Sequence, residues 1–145
     1  MRAWRTLGEA CAHRVAVGKT ADAFEFPFSI LDDGSPVRAA IVGLAAGLRA
    51  APTDLCVILP VDTPLVTAPL LLELAAACLV DAAVPQTGPL PGAYRKRVLP
   101  ALETGERSIR RAIEHLDVAV VELDSTQLAN LNTPDDLHQL AYRGR

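Results

Sequence analysis

Short apolar runs alternate with longer stretches of helical period along most of the 145 residues. Trp4, Leu7 and Cys11 recur at i, i+3, i+7 and predict a helix over 2–12. An apolar run closing on Gly18 predicts a strand at 15–18, and a second at 27–31 is stopped by Asp32-Asp33-Gly34-Ser35-Pro36. The stretch 37–50 is helical, with Gly43 and Gly47 on one face, as close packing on a sheet requires. Residues 55–59 show no polar alternation, which suits a central parallel strand buried on both faces. The run breaks at Pro60-Val61-Asp62-Thr63-Pro64, and a helix follows at 68–79. A strand at 82–85, a Gly- and Pro-rich loop or hairpin at 86–92 and a strand at 93–95 come next. Helices at 98–103 and 108–115 precede a strand at 118–122. Pro134, followed by Asp135 and Asp136, opens a last helix reaching about residue 142. Strands alternating with helices predict an α/β fold: one open, three-layer, Rossmann-like, mostly parallel sheet with helices on both faces.

Composition narrows the class. A chain that is 50% hydrophobic and 21% charged folds as a globule, and its length fits a single domain over 1–145. A net charge of −3 gives no non-specific hold on nucleic acid or anionic membrane. Pro69 and Glu73 interrupt the most apolar stretch, 65–80, which is too short to span a bilayer. Met1-Arg-Ala-Trp-Arg lacks the long apolar core expected of a secretion signal. Cys11, Cys56 and Cys78 form no CxxC pair, so the expected compartment is the reducing cytoplasm.

Three carboxylates stand just past strand ends: Asp32, Asp33 and Asp62. Ligands of open α/β sheets bind at those ends. Mg²⁺ takes one or two protein carboxylates and fills its other positions with phosphate oxygens and water. Asp62 is the strongest candidate, because it follows the most apolar strand; the plainer reading is that it turns the chain or caps the next helix. Asp32 and Asp33 also fit ordinary turn composition. His13, His115 and His138 have no paired spacing, and no serine sits in a nucleophile elbow. Arg95-Lys96-Arg97 and Arg107, Arg110, Arg111 read as solvated faces or as contacts for a phosphate-bearing substrate. Neither G-x-G-x-x-G nor a Walker A loop occurs.

Two segments resemble known sequences. Val57-Ile58-Leu59-Pro60-Val61-Asp62-Thr63-Pro64-Leu65 is similar to the metal-binding strand end of nucleotidyltransferases with a glycosyltransferase-A-like sheet. Leu128-Ala129-Asn130-Leu131-Asn132-Thr133-Pro134-Asp135-Asp136-Leu137 is similar to the Asn-x-Asn-Thr-Pro-Glu-Asp-Leu motif of MobA-type molybdenum cofactor guanylyltransferases. The resemblance implies transfer of GMP from GTP to molybdopterin, with release of pyrophosphate. It implies that Asp62 binds Mg²⁺ and serves catalysis, that Asp32, Asp62 and Gly18 contact the nucleotide, and that Asn130 and Asn132 face the pterin. Such chemistry needs positioning and charge neutralisation more than acid–base groups.

The chain departs from that family in two places. Ala39 and Ala40 stand where the family has Gly-Pro, and alanine reaches positive φ only at a cost. The family's opening strand and its Leu-x-Gly-Gly-x-Ser-x-Arg-Met-Gly-x-Asp-Lys loop have no counterpart, so the domain reads as truncated at its N-terminus and inactive alone. The strands at 15–18 and 55–59 would then lack a common neighbour. They are expected to pair directly, to take a strand from a partner or a second copy, or to leave the chain poorly stable. A related cytidylyl- or sugar-phosphate NTP transferase and a non-catalytic remnant are the alternatives.

Overall fold

The computed structural model describes residues 2–19 and 29–129. Helix α1 (Arg2–Ala10) leads into β1 (Ala16–Gly18), and β2 (Ile30–Asp32) into α2 (Ala40–Ala50). Then come β3 (Leu55–Ile58), α3 (Ala68–Ala77), β4 (Ala82–Pro85) and β5 (Gly92–Arg95). A 3-10 turn over Lys96–Val98 runs into α4 (Leu99–Leu102), followed by α5 (Ile109–Ala112) and β6 (Val118–Val121). The order of elements matches the one read from the sequence. The helix expected at 134–142 and the start of the strand expected at 27–31 lie outside the described residues.

The expectation of one mostly parallel sheet is corrected. Strands β1 and β2 form a parallel pair of their own, with Gly18 opposite Asp32. The others form a mixed sheet in the order β3-β5-β4-β6. Here β4 and β6 are parallel, while β5 runs antiparallel to both β3 and β4. The reason is the connection between β4 and β5, which spans only residues 86–91. A parallel crossover needs a dozen or more residues, so a link this short returns the chain antiparallel.

Residues along the mixed sheet alternate between two cores. Cys56, Ala82, Val84 and Tyr94 join Leu44 and Leu48 of α2 and Leu102 of α4. Ala83 and Ala93 join Leu70, Leu71 and Leu74 of α3 on the opposite face. Helix α1 packs beside α3, so helices cover both faces in three layers.

Between β1 and β3 lies a cleft of about 270 Å³, lined by Leu7, Cys11, Val15, Gly47, Cys56 and Ile58 among others. The two strands do not pair with each other, so the expected direct closure is not what forms. Helix α2 spans the cleft on one face. A Cβ on Gly47 would stand 3.9 Å from both Val17 Cγ2 of β1 and Ile58 Cδ1 of β3. Gly47 thus makes the close approach to the sheet that its position suggested, whereas Gly43 meets nothing within 4 Å.

Candidate functional site

Helix α2 connects β2 to β3 and packs against both β1 and β3. Three of the expected site residues stand at or past strand ends: Gly18, Asp32 and Asp62. Gly18 ends β1 and Asp32 ends β2, and the two are register partners. Asp33 N donates to Gly18 O at 2.9 Å, which ties the strand ends together.

The adjacent aspartates, alike in sequence, differ in the structure. Asp32 is exposed, and its Oδ2 accepts from Gly34 N at 2.9 Å. Gly34 has φ +75°, in the left-handed region where glycine is favoured. Asp33 is 8% exposed, and Lys19 Nζ lies 2.8 Å from its Oδ2. Sequence reasoning missed Lys19. Its only signal was its place directly after the strand-ending Gly18, in a chain whose other lysine is Lys96.

Asp62 lies beyond the end of β3, in a half-buried turn. The turn is held by its neighbour: Thr63 is 3% exposed and its Oγ1 donates to Pro60 O at 2.9 Å. Helix α3 takes Thr67 as its N-cap without a side-chain hydrogen bond, so Asp62 does not cap that helix. Among the described residues its carboxylate has no hydrogen-bond or ion-pair partner. No group of three metal-ligating side chains occurs among the described residues. A single unpaired carboxylate fits Mg²⁺, which draws its remaining ligands from phosphate and water.

Asn130 and Asn132 lie outside the described residues. The chain leading to them is anchored beside the Asp62 turn. Leu128 packs with Val66 and Leu70, and Thr67 Oγ1 donates to Gln127 Oε1 at 2.9 Å. Gln86, just past β4, donates from Nε2 to Leu123 O at 2.7 Å and accepts from Leu123 N at 2.9 Å.

Ala39, in the position of a family glycine, has φ −145° and ψ 144°. Alanine adopts that extended backbone freely, so the replacement costs no strain. In the first basic cluster two arginines serve the fold. Arg95 pairs with Asp54 at 3.2 Å and donates to Cys78 O at 2.7 Å, and Arg97 pairs with Asp81 at 2.6 Å. The Arg97 hydrogen bond, helped by Asp117 N–H, holds the Asp81 carboxyl below the usual carboxylate range. The cleft between β1 and β3 reaches the opposite end of the strands, near His13, Arg14 and Thr53, and is not the site at the strand carboxyl ends.

The MobA-like NTP transferase domain family matches residues 1–121. A probable molybdenum cofactor guanylyltransferase of Chloroflexus aggregans is 30% identical, over 99% of this chain and 79% of its own. The molybdenum cofactor guanylyltransferase of Pseudomonas syringae pv. syringae is 34% identical over 72% of this chain, and only 59% of that relative's length is spanned. Among solved structures, molybdopterin-guanine dinucleotide biosynthesis protein A from Archaeoglobus fulgidus superposes with a TM-score of 0.67 at 26% identity, over 79% of this chain and 67% of that one. The bifunctional IspDF from Campylobacter jejuni, at 14% identity and a TM-score of 0.68, covers 95% of this chain and 45% of its own, and shows the shared fold. Fold and sequence agree: the chain belongs to the MobA-like NTP transferase domain family.

Proposed function

We propose that this domain serves the transfer of GMP from GTP to molybdopterin, a nucleotidyl transfer of molybdenum cofactor biosynthesis. The observation that carries the reading is the Asp62 carboxylate past β3, which has no partner among the described residues; Gly18 and Asp32, register partners at the ends of β1 and β2, stand side by side. Gly18 and Asp32 hold the nucleotide, and Asp62 holds the Mg²⁺. A cation held there would supply charge neutralisation for the GTP phosphates. Asn130 and Asn132 take the pterin, supported by the anchoring of residues 123–128 beside the Asp62 turn. Attack by a phosphate oxygen of the pterin on the α-phosphorus needs positioning more than a general base.

The cleft between β1 and β3 favours a second element of the reading. Turnover needs a further strand from outside residues 1–145 to complete the sheet between β1 and β3. Calorimetric titration with GTP, with and without Mg²⁺, tests the first element. Parent binding should need the metal. Asp62→Asn should abolish the Mg²⁺ dependence while leaving Tm within about 2 °C, because an unpartnered carboxylate contributes little to folding. Equal GTP affinity with and without Mg²⁺ in the parent would overturn the reading. GMP transfer by the unaccompanied chain would overturn the second element alone.

A further inference from the structure

Lys19 emerges from the end of β1 with its ammonium mostly enclosed, against an equally enclosed Asp33 carboxylate: the side chains are 13% and 7% exposed. Nζ donates to Asp33 Oδ1 at 3.0 Å, to Asp33 Oδ2 at 2.8 Å and to Ser35 O at 2.6 Å. An ammonium has three N–H donors, so every one is engaged within the protein. A lysine at a strand end beside a nucleotide site would ordinarily be read as a phosphate ligand. Here its donors are already committed, and its role is exerted through Asp33.

Asp33 Oδ1 also accepts from Ser35 N at 3.1 Å, and Ser35 Oγ accepts from Val37 N at 3.1 Å. With the bond from Gly34 N to Asp32, these contacts fix the backbone from the end of β2 almost to α2. Lys19 is the one side chain in this set that comes from β1. We infer that Lys19 and Asp33 are positioning residues for the nucleotide. Their ion pair locks the β2–α2 loop against the end of β1, so that the Asp32 carboxylate and the Gly18 backbone keep one mutual arrangement. The inference rests on the nucleotide role of Asp32 and Gly18 stated above.

Buried ion pairs are weak sources of net stability. Removing one partner strands a charge, whereas neutralising both is often harmless. Stability and positioning can therefore be separated by comparing the parent with Lys19→Met and with the double variant Lys19→Met/Asp33→Asn. The readouts are Tm, amide hydrogen exchange at Gly34, Ser35 and Val37, and calorimetric affinity for GTP with Mg²⁺. Lys19→Met should lower Tm and weaken GTP. The double variant should recover Tm, yet keep faster exchange at the three amides and bind GTP roughly ten- to a hundredfold more weakly, the scale of a misplaced contact. Recovery of GTP affinity along with Tm would overturn the positioning role and leave a purely structural pair. Unchanged amide exchange in the double variant would overturn the lock itself. A parent that binds no GTP, while the amides respond as stated, would overturn the nucleotide reading and with it the purpose of the lock.

Discussion

Tyr94 is the largest of the fully enclosed side chains, and its hydroxyl donates to Pro89 O. Burial, with the nearby Cys78 thiol adding to it, pushes the phenol far above its ordinary range, so it stays protonated while the fold persists. Tyr94→Phe removes one hydrogen bond and little volume. It should cost about 1 kcal/mol and lower Tm by about 3 °C in thermal unfolding followed by circular dichroism. The cysteines are similarly quiet: burial raises the thiol values of Cys11, Cys56 and Cys78, which disfavours the reactive thiolate. At this scale the sequence was readable where one residue type has one use. It told of carboxylates past strand ends. It could not say that Asp33 would be buried against Lys19 while Asp32 stayed exposed, because that difference comes from a cross-strand contact.

Elements were more legible, since hydrophobic period and Gly/Pro punctuation act locally. What failed was strand direction. The run at 55–59 reads as a central parallel strand buried on both faces, yet β3 stands at the edge of its sheet among the described residues, pairs antiparallel with β5 and is fully buried only at Cys56. A continuous apolar run carries no information on strand direction, which the length of the connecting segments decides. The turn between β4 and β5 also separates two glycines that look alike in sequence. A Cβ on Gly92 would lie 2.6 Å from Pro89 O and 2.7 Å from Tyr94 Cε2, while Gly43 has open space in the middle of α2. Gly92→Ala should therefore destabilise by about 1–3 kcal/mol through overpacking. Gly43→Ala should stabilise by about 0.5–1 kcal/mol, the ordinary helix preference. Urea denaturation of the two variants beside the parent measures both signs, and stabilisation by Gly92→Ala would contradict the packing described.

For the molecule as a whole, the sequence showed the family and the layers but not the division of the strands into two sheets. That division arises because β1 and β3 are held together through helices and not by a shared ladder. Among the described residues the β1–β2 pair therefore lacks the hydrogen-bonded neighbours that make the other four strands one unit. Cooperativity should follow the same line. In native-state hydrogen exchange the amides of β1 and β2 should open in a separate, low-energy step, while those of β4 and β5 exchange only with global unfolding. Exchange of all six strands at a single opening energy would show that the helices transmit cooperativity across the cleft. The low-energy unit also holds Gly18, Asp32 and the Lys19–Asp33 pair. A nucleotide gripping those residues would therefore act as a folding ligand. It would draw the loosest part of the domain into register with the rest, so saturation and local order would rise together as two readings of one equilibrium.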